Sequence, residues 1–586
     1  MLWLKDTKSI VTAPKLSNSD FQCTQSAARL GIQNSTPNRR TTDTQLIGEI
    51  PDPGFCKLRG KPKSPMTNWF LPPSLKIGVI TLVTGVIWYL QRFRRLRSNS
   101  LPPGPSGLPW IGYTACLGPR AFDELQNLKD RYGDVVAFSL LGNTVVVLNT
   151  YEAVLEAANN NRSKLGRFTL TTNHWLAKGV GISNYDTPRT LDLRRALLRL
   201  LYGHEDVASY LADDSRPSKL RDAVKTEIQK LIRTLALTGE KPVEFLPLIR
   251  LVVWNVMWKI VFGRPCEISP EKIKHTLNLI STNNTENSML QMIQLFPKRW
   301  LFILDRMPWI RRLLGMDQLY QRYAEVTALL REQLNIFDKT SGNSTDALIS
   351  RFQKDCGLNI RRNELERLLF ELMAAGTDTS SLTLTVACSY LTEQTGPLSG
   401  DNFTDQLNRI HRQANVVPLA LPHVARQPIH VGQYCIPEGS IVIFNLYAIH
   451  QAQMGQVCPI APIPFSVGSR SCPGQRLANK VIEDVVRAID QNFSIQNSSD
   501  TEEEELPKGC THAKLSQTSR GLTRTPSKSK FIFHAIFPHG LPSSRPSVEV
   551  ILSETLTVPL NRTICKCLSL SNNPHDATVP ISSTFA

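Results

Sequence analysis

The segment FSVGSRSCPGQRLA holds the most informative group of residues in the chain. Phe465, Gly468, Arg470, Cys472 and Gly474 fall on the spacing F-x-x-G-x-R-x-C-x-G. A cysteine thiolate is a metal ligand, and glycine lets the backbone approach a flat group without a clash from Cβ. The next proline opens an apparent helix, whose N-terminus should lower the pKa of the thiol. The alternative, an inert buried cysteine in a turn, is disfavoured because five positions agree.

A second polar group lies within a long helical pattern from Glu364 to about Leu391. The run AAGTDTSS, which contains Asp378 and Thr379, places a glycine with hydroxyl and acidic side chains where a helix tolerates them poorly. Such a set predicts a distorted hydrogen-bond ladder and a groove beside the helix. The alternative is a polar stripe on an exposed helix.

Two further segments carry basic side chains in apolar surroundings. NVVPLALPHVA ends near His423, and LDLRRALLRLL contains Arg194. Taken alone, His423 would more often be an ordinary surface histidine.

Together these four segments resemble those of the cytochrome P450 superfamily. LPPGPSGLPWIG at 101–112, FGRP at 262–265 and GLTRTP at 521–526 extend the resemblance, which is to animal microsomal members, over roughly residues 70–538. It implies a mainly α fold with small β-sheets. It also implies haem b as the cofactor, held between the long polar helix and the cysteine loop.

The resemblance implies a role for each residue of the cysteine loop. Cys472 would be the axial ligand of the haem iron. Arg470 would pair with a haem propionate, and Phe465 would pack on the ring beside the sulfur. Gly468 and Gly474 would let the loop approach the macrocycle.

The resemblance also implies roles on the other sides of the haem. His423 and Arg194 would reach the propionates. Thr379 would hydrogen-bond bound dioxygen, and Asp378 would serve the proton relay from solvent.

The sequence departs from the family at three places. The family's Glu-x-x-Arg pair reads Arg409 to Arg412 here, so an ion pair becomes a buried repulsion. Its Pro-Glu-Arg-Phe segment has no counterpart, and the stretch from Leu391 to Arg409 is short. In addition, Thr190 stands where a tryptophan is expected before Arg194. Clean motifs beside abrupt gaps favour missing or misread coding segments.

The elements that must position these residues are mostly helices. Nearly every segment from about 190 to 375 has helical periodicity. FDELQNLKDRYG predicts a helix, and VVAFSLLGNTVVVLN after it predicts a β-hairpin. Short strands return at PIHVGQYCIP and SIVIFNL. We therefore expect a mainly α domain with small β-sheets.

The organisation along the chain follows from composition. Residues 1–65 and 540–586 are polar and predict disorder. Residues 69–97 predict a transmembrane anchor with a basic flank; a buried or interfacial helix is the alternative. Residues 101–538 would form the haem-thiolate monooxygenase domain, incomplete around 391–465.

The formal net charge of +17 indicates an anionic binding partner. No nucleic-acid-binding signature accompanies it, so we expect no nucleic acid as a partner; anionic membrane lipid and an acidic protein surface fit better. The 12 cysteines are far apart, which favours reduced, cytosol-facing thiols.

The resemblance implies a monooxygenase that inserts one oxygen atom of O2 into an apolar small molecule. Electrons would come from an NADPH-dependent flavoprotein reductase docked on basic residues near the cysteine. The expected location is the endoplasmic reticulum membrane, single-pass, with a cytosolic catalytic domain. One alternative is a non-catalytic remnant of the same family. A haem-thiolate isomerase is disfavoured because Asp378 and Thr379 are present.

Overall fold

The computed structural model describes most of the central chain. The described residues are 78–87, 101–108, 111–114, 117, 121–183, 185–212, 216–281, 306–340, 347–354, 357–394, 403–454, 460–498, 517–518, 525–526 and 530–536. The predicted disordered segments 1–65 and 540–586 lie outside these residues. Of the predicted anchor at 69–97, only residues 78–87 are described.

Helices make up most of the described structure. In chain order they are α1 Gly78–Ile87, α2 Ala121–Tyr132, α3 Tyr151–Asn160, α4 Thr171–Ala177, α5 Pro188–Tyr202, α6 Glu205–Ala212, α7 Lys219–Thr238, α8 Phe245–Phe262, α9 Pro270–Ile280, α10 Pro308–Leu313, α11 Met316–Thr340, α12 Leu348–Lys354, α13 Arg362–Leu391, α14 Phe403–Ala414, α15 Leu446–Ala452 and α16 Gln475–Asn492.

The strands are short. They are β1 Val135–Leu140, β2 Asn143–Leu148, β3 Leu165–Arg167, β4 Val243–Glu244, β5 His423–Ala425, β6 Ile429–Val431, β7 Tyr434–Ile436, β8 Ile441–Phe444, β9 Phe493–Asn497, β10 Gln517–Thr518, β11 Thr525–Pro526 and β12 Lys530–Ala535. The expected mainly α fold with small sheets is confirmed.

The main sheet has five strands in the order β1-β2-β8-β5-β3. The predicted hairpin is confirmed: β1 and β2 pair antiparallel from Val135 with Leu148 to Leu140 with Asn143. β2 and β8 pair parallel, which joins the N-terminal hairpin to the strands that come late in the chain. Antiparallel pairing of β3 with β5 brings Arg167 opposite His423. Distant basic residues thus meet at one sheet edge.

The helical core is organised around α13. Its side chains are buried along nearly the whole length, and it packs against α8, α11, α14 and α16. Helix α8 is mostly apolar and carries the buried Trp254 and Trp258. By length and composition α8 could cross a membrane, but its burial makes it a core helix. The polar run AAGTDTSS lies near the middle of α13.

Candidate functional site

The cysteine loop turns sharply before α16. The Cys472 amide donates to the Phe465 carbonyl at 2.9 Å, and a 3₁₀ turn at Gly468–Arg470 lies between them. Helix α16 begins at Gln475 with Gly474 as its N-cap. The expectation that the proline after the cysteine opens the helix was wrong, because the loop needs two more residues to turn. The cysteine still precedes the helix N-terminus.

Gly468 has a structural role in the loop, and its expected role in the approach to a macrocycle stays a prediction. This glycine is not among the residues that line the cavity described below. Its φ of +80° lies in the left-handed region, and an added Cβ would lie 3.0 Å from the Ala158 Cβ on α3. Gly468 therefore allows the loop to turn and to pack on α3. Gly474 does line the cavity, 3.9 Å from the Cys472 sulfur when given a Cβ.

A cavity of about 300 Å³ lies between the cysteine loop and α13. Phe465, Arg470 and Cys472 of the loop line it together with Gly376 and Thr379 of α13. Most of the remaining wall is apolar. The structure therefore brings the two most informative sequence segments to the lining of one cavity.

The Cys472 side chain is accessible from this cavity and is otherwise surrounded by protein. Burial raises the pKa of its thiol above the ordinary value, and amides of Gly474 and Gln475 together with Arg194 offset this only in part. The expected lowering of the thiol pKa was wrong for the free side chain, because desolvation outweighs the helix N-terminus. A bound cation would supply the missing stabilisation of the thiolate.

Three arginines converge on the same cavity. Arg167, Arg194 and Arg470 all line it. Arg194 donates to the Ser471 carbonyl, and Arg167 donates to the Arg470 carbonyl at 3.1 Å. Burial, then repulsion from Arg470 and Arg194, lowers the pKa of Arg167 to about 9. Such a cluster calls for anionic partners.

The described residues supply one nearby carboxylate for this cluster. Asp186 accepts from Arg470 and is shared with Arg426. Arg470 Nη1 and Arg167 Nε are buried without a protein partner. A group that carries two carboxylates and a metal that prefers thiolate therefore fits this donor set, and haem has both.

His423 lies beside the arginines but is not among the residues that line the cavity. Its ring stacks on Phe444 at 4.3 Å, and its Nδ1 is buried without a protein partner. Burial and the charges of Arg167 and Arg470 hold its pKa well below the ordinary value. The structure thus places a neutral His423 behind Arg167.

The polar run leaves α13 intact. The helix is continuous from Arg362 to Leu391, and the Thr379 hydroxyl donates to the Ala375 carbonyl at 2.8 Å. The expected distortion of the ladder was wrong, because such hydroxyl groups bond the carbonyl four residues earlier. The close approach comes from Gly376: an added Cβ there would lie 2.7 Å from the Met257 side chain on α8.

Asp378 faces away from the cavity. Arg250 on α8 donates to its carboxylate at 2.7 Å and also to the Ser281 hydroxyl at 3.1 Å. Burial raises the pKa of Asp378, and Arg250 offsets this in part. Asp378 and Thr379 are thus adjacent in sequence but face different surroundings.

The departures from the family pattern have structural outcomes. Arg409 is exposed on α14, so the expected repulsion with Arg412 is not buried on both sides. Burial, and then the charge of Arg409, still lower the pKa of Arg412. Arg412 is buried and donates to the Ile460 carbonyl at 2.8 Å. Thr190 donates to the Gly181 carbonyl at 3.2 Å and does not line the cavity. Of the two arginines, Arg412 is therefore the one that contacts the segment between α15 and the cysteine loop.

Sequence reasoning missed three cavity residues. Arg167 gave a weak signal as a charged residue in the strand-like run LGRF. Glu371 gave none; it is buried on α13 and accepts from the Ile182 amide at 2.8 Å. His411 gave none either; it is buried on α14 and lines the cavity.

The comparisons with known proteins agree with this architecture. A family model for cytochrome P450 matches residues 102–394 and 410–454. Cytochrome P450 2C16 of Oryctolagus cuniculus is 23% identical over 470 residues, covering 72% of this chain and 93% of the relative. For cytochrome P450 2U1 of Rattus norvegicus the values are 23% over 484 residues, 68% and 86%. For cytochrome P450 18a1 of Drosophila melanogaster they are 24% over 463 residues, 69% and 82%.

The mainly α fold and the thiol-bearing cavity with its arginines are suited to hold a haem group. The chain belongs to the cytochrome P450 family, whose members are haem monooxygenases supplied with electrons by a redox partner. The family match is interrupted between 394 and 410 and ends at 454, before the cysteine loop.

Proposed function

We propose that this chain is a haem b-dependent monooxygenase that inserts one oxygen atom of O2 into an apolar small molecule. Its electrons would come from NADPH through a flavoprotein reductase. The observation that carries the proposal is the shared cavity: Cys472 of the loop and Thr379 of α13 both line it. An apolar substrate fits because most of the wall is aliphatic, with Val253, Val417 and Leu372 among its residues.

Each residue of the site has a role in this proposal. When bound, haem supplies the iron that activates dioxygen for the insertion. Cys472 would hold the iron, and Phe465 would cover the ring beside the sulfur. Arg470, Arg194 and Arg167 would hold the two propionates, because each presents a guanidinium in the cavity wall. His423 would support this cluster from behind Arg167.

Thr379 and Asp378 would deliver protons. The Thr379 hydroxyl lies in the cavity wall and can both accept and donate a proton at Oγ1. Asp378 is held by Arg250 away from the cavity. Its ion pair would therefore have to open before its carboxyl could pass a proton to Thr379.

We propose the endoplasmic reticulum membrane as the location, with residues 69–97 as a single-pass anchor and the catalytic domain in the cytosol. Support comes from α1, which exposes the large apolar side chains Val79, Ile80, Leu82, Val83, Val86 and Ile87. The arginines between 92 and 97 favour a cytosolic flank. The net charge of +17 suits both anionic lipid and an acidic reductase surface.

We propose residues 101–538 as the monooxygenase domain, incomplete around 391–465. The family match is interrupted within this interval. Sequencing the transcript across residues 391–465 tests the idea of misread coding segments; a transcript that encodes the same residues contradicts it. The alternative of a non-catalytic remnant is not favoured by the family match.

The proposed function is tested by the absorption spectrum of the reduced, carbon monoxide-bound protein. Thiolate ligation predicts a strongly red-shifted Soret band. Cys472→Ser should abolish that band, whereas Cys388→Ser, at a buried cysteine of α13 that does not line the cavity, should retain it. Loss of haem, or an unchanged spectrum in Cys472→Ser, contradicts the proposal.

A further inference from the structure

His411 contacts the cysteine loop on both sides of Cys472. Its Nε2 lies 2.9 Å from the Asn479 Oδ1 on α16, after the cysteine. Its ring meets the Phe465 ring edge-on at 5.3 Å, before the cysteine. Phe465 in turn accepts the backbone hydrogen bond from Cys472. One side chain on α14 therefore connects to both ends of the loop that carries the ligand.

The chemistry of this contact is that of a neutral hydrogen bond. The His411 ring is buried, and burial lowers its pKa to about 4 while the bond to Asn479 offsets this in part. At neutral pH the imidazole is uncharged, and in the tautomer with its proton on Nε2 it donates to the Asn479 amide oxygen. Loss of either partner would leave a buried polar group without a hydrogen bond, which destabilises this arrangement.

The need for such a contact follows from the altered pair on α14. Arg409 is exposed, and Arg412 reaches Gln453 and Ile460, which precede the cysteine loop. Neither arginine is within hydrogen-bond distance of Phe465 or α16 among the described contacts. Among the described residues, the hydrogen bond between His411 and Asn479 is a side-chain link from α14 to α16.

We propose that His411, paired with Asn479, is a positioning residue that holds the Cys472 loop in the conformation that ligates iron. This inference rests on the proposed function, since it concerns the same thiolate. The neutral hydrogen bond between His411 and Asn479 fixes the position of the loop relative to α14. Haem can bind without it, but the sulfur then loses its fixed position.

The test is the ratio of the red-shifted to the unshifted Soret band in the full-length, haem-loaded protein. His411→Phe keeps the aromatic contact with Phe465 and removes the hydrogen bond. We expect this ratio to fall about fivefold, the factor for one net hydrogen bond, at unchanged total haem. Asn479→Leu should lower it equally, and the double variant should lower it no further. His411→Gln, whose amide can donate to Asn479, should recover most of the ratio.

Arg409→Ala is the matched control on the same helix, because Arg409 is exposed. Its ratio should stay within twofold of the unmodified chain. An unchanged ratio in His411→Phe, or additive losses in the double variant, overturns the inference while the proposed function stands. Absence of the red-shifted band in the unmodified chain overturns the proposed function, and the inference with it.

Discussion

Glu371, on α13, accepts hydrogen bonds that hold the segment around residue 182 against this helix. Its carboxylate accepts from the Ile182 amide at 2.8 Å, from the Ser183 hydroxyl at 3.2 Å and from Arg367 Nε at 3.0 Å. Gly181 leaves room for it, since an added Cβ would lie 2.4 Å from Glu371 Oε1. Glu371 also lines the cavity. Its replacement by glutamine should therefore loosen one wall of the site.

The magnitude follows from burial of both partners. The side chains of Arg367 and Glu371 are 5% and 6% exposed. Glu371→Gln leaves the Arg367 charge buried without its counter-charge, which typically costs about 3 to 5 kcal/mol. For a domain of this size we expect a fall in Tm on the order of 5 to 10 °C. The segment that Glu371 holds should open more often than the whole domain unfolds.

The assay combines thermal unfolding with limited trypsin digestion, because the exposed Lys178 lies beside this segment. Cleavage after Lys178 should be at least about tenfold faster in Glu371→Gln, if the local opening free energy falls by about 1.4 kcal/mol or more.

Glu366→Gln is the matched control on the same helix, since its partners Arg331 and Arg362 are 53% and 39% exposed and keep their contact with solvent. Exposed pairs contribute about 1 kcal/mol or less, so its Tm should fall by about 2 °C at most. Equal effects of the two variants would refute the reasoning.

Three further predictions concern pH and the site. Because the folded pKa of His411 is lowered to about 4, native His411 binds fewer protons than the unfolded chain between pH 6.5 and 4. Its contribution to the free energy of unfolding is full above pH 6.5 and falls as the pH drops to 4. In urea titrations between these pH values, the slope of the unfolding free energy against pH should be smaller in His411→Phe by about 1.4 kcal/mol per pH unit. An unaltered slope contradicts the burial of His411. Arg189 and Arg361 hold the pKa of Glu364 at about 2, so its contribution to the free energy of unfolding is present above pH 4.5 and is lost towards pH 2. The stability of Glu364→Gln should therefore depend less steeply on pH in that window. Identical acid-unfolding curves for the two proteins would refute this prediction. Arg470→Leu should release haem to an excess of a haem-binding acceptor at least about tenfold faster, since a buried charged hydrogen bond contributes about 1.5 to 3 kcal/mol; the exposed Arg195→Leu is the control, and equal release rates would remove Arg470 from the propionate site.

Local patterns in the sequence predicted the elements that carry the site. The start of α13 at Arg362 and its end at Leu391 agree closely with the expected helix, because apolar periodicity marks a long buried helix. The hairpin of β1 and β2 was equally readable, because two β-rich runs flank Gly142. The spacing around Cys472 identified the loop, since several specified residue types within a short stretch rarely coincide by chance.

The reasons assigned to individual residues were less predictable. Gly468 serves a left-handed turn and the packing on Ala158, two roles that its spacing in the sequence did not indicate. The thiol of Cys472 has a raised pKa because burial outweighs the helix N-terminus. Arg409 is exposed because α14 turns a different face to the core. In each case the balance depends on surroundings that come from elsewhere in the chain.

The sequence by itself determined the family, the mainly α class and the cysteine loop, because each is encoded in short-range order. The tertiary structure alone decided which charged groups share the cavity. Arg470 meets Asp186 across 284 positions, and Arg167 reaches the Arg470 carbonyl across 303. Pairing and burial of this kind follow from strand register and helix packing, which no local pattern records.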